Sequence, residues 1–157
     1  MFYIYTSCAL SDEKPPVAFS AYYSHDFTSL RKGSTFIYDT VLTNLGHGYN
    51  ETTGVFTVPT SGLYAFTWTL SAAGRHILGS SGDFGEMGGM LEQNGVAKGW
   101  IVSDTETQND EEAATGFVVL HADAGDKITV VSPWDGQGAM YGDTTYGRTS
   151  FSGFLIN

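Results

Sequence analysis

Between Gly62 and Ser71 the chain reads GLYAFTWTLS, and this alternation constrains the fold more than any other stretch. In an extended strand successive side chains point to opposite faces of a sheet. Tyr64, Phe66, Trp68 and Leu70 then share one face, and Leu63, Ala65, Thr67 and Thr69 share the other. Both faces carry apolar groups. The strand is therefore expected at the centre of a sheet covered on both sides, by a second sheet and by a neighbouring subunit.

Shorter runs with the same period-2 alternation surround it, at 17–23, 35–44, 54–58, 85–92, 96–102, 115–122, 126–132 and 149–156. They are separated by short Gly-rich loops such as GHGYNETTG, PTSG and ADAGD. No stretch sustains 3.6-residue periodicity, heptads or a Gly-X-Y repeat. Only 15% of residues are charged while 14% are aromatic, a balance that favours strands. About ten strands at this spacing predict an all-β fold, a sandwich or jelly roll that hides its edges in two stacked sheets. The chain length suits one domain, expected at 17–157. Residues 11–16 (SDEKPP) read as a polar linker, which leaves 1–16 as an N-terminal tail. Within it, Met1–Leu10 is mildly apolar and lacks a basic leading region, so it reads as an extra strand or the remnant of a longer leader. The longest apolar stretches fall well short of the roughly 18 residues a membrane helix needs, so no membrane insertion is expected.

Seventeen acids against seven bases give a formal net charge of −10. That excludes a nucleic-acid partner, which needs a basic face to neutralise phosphates, and disfavours anionic membranes. A single cysteine, Cys8, rules out an internal disulfide and leaves a free structural thiol or a bond to another chain. No nucleophile, base and oxyanion hole assemble in the sequence, so an enzyme is not expected. Asp83-Phe84-Gly85 stands without the other kinase motifs. His25, His47, His76 and His121 are scattered, without metal-ligand spacing. Arg31-Lys32, Arg75-His76 and Arg148 make small basic spots, read as solvated surface or as contacts for phosphate or sulfate groups. Asn50-Glu51-Thr52 is an N-glycosylation sequon in a turn region.

From Tyr38 onward the spacing becomes specific. Asn44 is followed after four residues by Tyr49, after six more by Phe56, and after five more by Gly62, which opens Gly62-x-Tyr64-x-Phe66-x-Trp68. This pattern resembles the signature of the complement C1q globular-head domain, in which an aromatic precedes the Asn by six positions. Here that aromatic is Tyr38 where the family usually has Phe, and Trp68 stands where Phe or Tyr is commoner. AFSA at 18–21, LEQNG at 91–95, LHADAGDKI at 120–128 and SFSGFLI at 150–156 are similar to further family segments. The chain is similar to bivalve members that consist of a head with little or no stalk. The resemblance implies a ten-stranded jelly roll shared with tumour necrosis factor, built from two five-stranded sheets. It also implies a threefold homotrimer with an apolar axis.

Residues 104–112 read DTETQNDEE and hold five carboxylates between two expected strands. The resemblance implies that Asp104 and Glu112 occupy positions that bind calcium in some relatives, with Asp110, Glu111 and Glu106 in support. Hard oxygen ligands suit Ca²⁺, which would relieve repulsion among the carboxylates; the alternative is a solvated, mobile acidic loop. For function, the resemblance implies a secreted, non-enzymatic recognition protein of innate immunity. Its trimer would bind microbial glycans or lipopolysaccharide through several weak sites. Trp134, Tyr141, Tyr146, Trp100 and Arg148 are candidate ligand contacts, the aromatics stacking on sugar rings. The rival readings are a cytokine-like ligand of a protein receptor and an acidic calcium-binding matrix protein.

Overall fold

A computed structural model describes residues 15–28, 30–73, 85–106, 110–144 and 147–156. Cys8, most of the tail, Arg75-His76, Asp83-Phe84 and Tyr146 lie outside the described residues. The described strands are β1 (Ala18–Tyr22), β2 (Thr40–Leu45), β3 (Tyr49–Asn50), β4 (Val55–Thr57), β5 (Gly62–Ala73), β6 (Glu86–Gln93), β7 (Val96–Asp104), β8 (Glu111–Ala122), β9 (Lys127–Val131), β10 (Ala139–Met140), β11 (Asp143–Thr144), β12 (Gly147–Arg148) and β13 (Ser150–Leu155). Every pairing is antiparallel. One layer runs β8-β5-β13-β1-β2, with the two-residue β10 also paired to β5; the other runs β3-β4-β9-β6-β7. Five strands in each layer make the ten the sequence predicts, and β11–β12 forms a separate small hairpin.

The alternation of β5 is realised as expected. Tyr64, Phe66, Trp68 and Leu70 are fully buried between the layers. Phe19 of β1 stacks on Phe56 of β4 at 4.5 Å and meets Phe151 of β13 edge-on at 4.8 Å. Glycines admit the large rings. A Cβ at Gly116 would sit 2.4 Å from the Trp68 indole, and one at Gly153 would sit 2.4 Å from the Phe66 ring. The Trp68 Nε1–H donates to the carbonyl of Gly89 at 3.2 Å.

The signature residues have visible work. Asn44 spans the turn between layers: its Nδ2 donates to the Tyr49 carbonyl at 2.9 Å, and its Oδ1 accepts from Tyr49 N at 3.1 Å. Asn94-Gly95, both at positive φ, make the two-residue turn of the β6–β7 hairpin. The Asp126 carboxylate accepts from Asn94 Nδ2 at 2.7 Å, Asp123 N at 2.9 Å and Gln93 Nε2 at 2.7 Å. Those bonds, the Asn94 bond foremost, hold the Asp126 pKa below its ordinary value and tie the β8–β9 turn to the β6–β7 hairpin.

Two expectations need correction. The run at 35–44 is not one strand. Phe36 N donates to the Val130 carbonyl of the second layer at 2.8 Å, and β2 begins only at Thr40 in the first. Between them the chain crosses the layers without a ladder. Ile37 N donates to the Tyr23 hydroxyl at 2.9 Å and Tyr38 N to the Tyr49 hydroxyl at 3.1 Å. Tyrosine side chains thus stand in for a neighbouring strand. The second correction is that Glu111 and Glu112 are not loop residues. They begin β8 and pair with Ala73 and Ala72 of a β5 longer than its sequence pattern predicts.

Candidate functional site

At one edge of the sandwich the last residues of β7 meet the first of β8. The Ser103 hydroxyl, fully buried, donates to the Glu112 carbonyl at 2.7 Å and accepts from Ala72 N at 3.3 Å. Asp104 N donates to Glu112 Oε2 at 3.1 Å. Thr105 turns inward; its Oγ1 accepts from Gly85 N at 2.8 Å, and its N–H donates to the Gly85 carbonyl at 2.8 Å. These bonds fix the walls of two adjoining depressions. One, of about 460 Å³, is lined by Asp104, Thr105, Glu106, Asp110, Glu111 and Glu112. The other, of about 420 Å³, shares Asp104, Thr105 and Glu106 and adds Glu86 and Gln137. The structure thus brings all five predicted carboxylates, Asp104, Glu106, Asp110, Glu111 and Glu112, to one acidic hollow. Two carboxylates are already engaged, Glu112 as above and Glu111 through the Tyr141 hydroxyl at 3.3 Å. Among the described residues no three acidic, histidine or cysteine side chains converge as a metal-ligand set.

The other predicted contacts do not gather into one site. Trp134 is half-buried, with its ring laid over Gly88, where a Cβ would come within 2.6 Å of it. Its Nε1 is buried without a hydrogen-bond partner among the described residues. Arg148 is bound to Asp143, with NH2 2.7 Å and Nε 2.8 Å from Oδ1, and its guanidinium lies 4.2 Å from the Tyr22 ring centre. Trp100, by contrast, is 61% exposed, opposite Met90 on the outer face of the second layer. Asn50 is exposed at the end of β3.

A second feature is the outer face of the first layer. Strand register places Leu45, Ala18, Phe154, Ala65 and Val119 in one row across five strands, and Thr43, Ser20, Ser152, Thr67 and Phe117 in the next. Phe117 is 68% exposed and Phe154 52%, with Leu45, Val119 and Ile156 also open. Ala65 at the centre is buried between its large neighbours. The following row, Thr40, Tyr22, Ser150, Thr69 and Thr115, is hydroxylated. None of these three rows holds an Asp, Glu, Lys or Arg by register, although the chain carries 24 such residues (17 acids plus 7 bases); the charge laid over the third row is the Arg148 guanidinium on the Tyr22 ring, and it is paired with Asp143. Exposed apolar residues grouped in this way, with so few charges on an otherwise acidic protein, are the composition expected of an interaction surface. The sequence signal for it was the second apolar parity of β5.

Comparison with known proteins gives a consistent picture. A family model described as C1q domain matches residues 18–156. Mouse complement C1q tumor necrosis factor-related protein 3 is 30% identical over 140 residues, covering 89% of this chain and 51% of the relative. Mouse related protein 2 is 25% identical over 149 residues, covering 95% and 46%. The chain thus spans about half the length of these curated relatives. Among solved structures, the globular domain of zebrafish complement 1qA superposes with a TM-score of 0.64 at 19% identity, covering 92% of this chain and 98% of that one. Eiger TNF from S. frugiperda gives 0.64 at 12% identity, covering 92% and 94%. Murine APRIL gives 0.63 at 13% identity, covering 90% and 99%.

Proposed function

The chain belongs to the C1q domain family, and from that membership we propose that it is a secreted, non-enzymatic recognition module that works as a homotrimer. The observation that carries this reading is the uncharged outer face of the β8-β5-β13-β1-β2 sheet. Copies carrying a net charge of −10 repel one another. Contact through the two apolar rows, which are free of formal charge, avoids most of that cost, and burying Phe117, Phe154, Val119, Leu45 and Ile156 supplies the attraction. A trimer then presents three equal sites whose linkage raises weak single-site affinity.

The ligand class we propose is microbial glycan or lipopolysaccharide, with Trp100 the most accessible aromatic for stacking on a sugar ring. Calcium at the acidic hollow of Asp104, Asp110, Glu111 and Glu112 would either bridge ligand hydroxyls or stiffen the β7–β8 edge. The hollow has the right donor chemistry for a hard cation. The second reading, a cytokine-like ligand of a protein receptor, is favoured by the tumor necrosis factor-related names of both mouse relatives.

One experiment addresses trimer, ligand and cation together. Protein whose mass is fixed by sedimentation equilibrium is screened against glycans and lipopolysaccharide, with calcium and then with chelator. A trimer with calcium-dependent glycan binding supports the first reading. A trimer that binds no glycan but engages a protein in a salt-insensitive manner supports the second. A monodisperse monomer at micromolar concentration overturns both.

A further inference from the structure

We propose that Asn50 carries an N-linked oligosaccharide, set on the layer of the sandwich that leaves the uncharged face clear. Three asparagines lie among the described residues, and their side chains are used differently. Asn44 spends its Nδ2 on the Tyr49 carbonyl, and Asn94 spends its Nδ2 on Asp126. Asn50 engages only its oxygen: Oδ1 accepts from Thr52 N at 2.9 Å and from Thr52 Oγ1 at 2.8 Å. A backbone N–H can only donate, so the atom facing Thr52 is the oxygen and the nitrogen faces outward. That nitrogen has no partner among the described residues. Asn50, Glu51, Thr52 and Thr53 are all exposed. The turn itself closes through backbone bonds, Gly54 N donating to the Asn50 carbonyl at 2.9 Å and Thr53 N at 3.3 Å. A substituent on Nδ2 therefore displaces no bond of the fold.

The donor class is an oligosaccharide on a polyprenyl pyrophosphate. The Nδ2–C1 bond forms, the bond from C1 to the pyrophosphate oxygen breaks, and the lipid pyrophosphate leaves. One Nδ2 proton passes to a base of the transferase. The Thr52 hydroxyl supplies the third position of the acceptor triplet. Placement gives the modification a consequence. β3 is one edge strand of the second layer, and among the described residues its neighbour in the ladder is β4 alone. A hydrated chain at the end of that edge obstructs edge-to-edge pairing between molecules. The apolar rows belong to the other layer and stay accessible.

The test is secretion of the full chain from insect cells behind a cleavable signal, followed by intact-mass measurement. The expected result is a heterogeneous mass above that of the polypeptide, collapsed by peptide-N-glycosidase F. Enzymatic release in heavy-oxygen water then marks position 50 as labelled aspartate in the peptide map. Thr52→Ala abolishes the added mass and Thr52→Ser retains it, which separates loss of the acceptor from loss of folding. A secreted wild-type chain with the bare polypeptide mass, or a label at another position, overturns the proposal.

Discussion

Gly116→Ala is the sharpest probe of the core. The added methyl would lie 2.4, 2.5 and 2.6 Å from the Cζ2, Cε2 and Cη2 atoms of Trp68. Carbon pairs prefer about 3.5–4.0 Å, so the overlap is about 1 Å. The indole has little room to retreat. Its Nε1–H is fixed on the Gly89 carbonyl, and Gly99, whose own Cβ would be 2.8 Å away, already closes the other side. Overpacking of this kind costs roughly 1–3 kcal/mol. Restricting the unfolded chain returns about 0.4–1 kcal/mol. The net loss is about 1–2 kcal/mol, a fall in Tm of roughly 2–8 °C for a chain of this size. Trp68→Phe alone loses part of the buried ring and its hydrogen bond, and costs about 1–3 kcal/mol. Combined, the smaller ring leaves room for the methyl, so the double variant should be more stable than the sum of its parts by about 0.5–3 kcal/mol. Urea unfolding of all four proteins at one protein concentration measures the cycle. If Gly116→Ala is as stable as the parent, or the two losses simply add, the steric reading of this pair is wrong.

Tyr38→Phe should raise stability by about 1 kcal/mol, because the buried Tyr38 hydroxyl has no hydrogen-bond partner among the described residues; a lowered urea midpoint would reveal a partner such as a buried water. At alkaline pH the fold should weaken. Burial raises the Tyr23 pKa to about 12 and also raises those of Tyr38 and Tyr49. Unfolded phenols ionise near 10 while these stay protonated, so their contribution is complete below about pH 10. It is lost as pH rises through the folded values, and the share of tyrosinate absorbance that these three phenols contribute, isolated by their Tyr→Phe variants, should appear together with unfolding rather than before it. Phe117→Asp should convert the proposed trimer to monomer in sedimentation equilibrium while leaving the monomer folded, since the side chain points outward; an unchanged mass would move the interface elsewhere. Asp104→Ala with Glu112→Ala should lower calcium affinity at least tenfold by calorimetry, and identical isotherms would exclude the acidic hollow as the cation site.

Much of this architecture is readable from residue order because β-strand chemistry has a short period. The aromatic parity of 64–70 and the short Gly-rich loops are local signals, and the folded chain uses them as their chemistry requires. The crossing at 35–39 was not readable. Its backbone donors are satisfied by hydroxyls of Tyr23 and Tyr49, so an alternating run mimics a strand without pairing as one. The acidic residues were located, but their secondary structure was not: Glu111 and Glu112 carry poor strand propensity and are recruited by the length of β5. The fates of Arg148 and Trp134 depend on partners remote in sequence or on ring placement. Asp143 with the Tyr22 ring, and Gly88, hold them in ways no local pattern encodes.

The absence of charge from the two apolar rows of the β8-β5-β13-β1-β2 face bears on partner choice as well as attraction. Discriminating one partner from a close relative depends on penalties as much as on gains, and like charges brought face to face, or charges left unpaired, on a wrong partner are a common source of penalty. Small hydroxyls and a few exposed rings offer none. A sibling head with a similar neutral face would meet no electrostatic rejection there, so mixed assemblies would be policed only by shape and by which chains are made together.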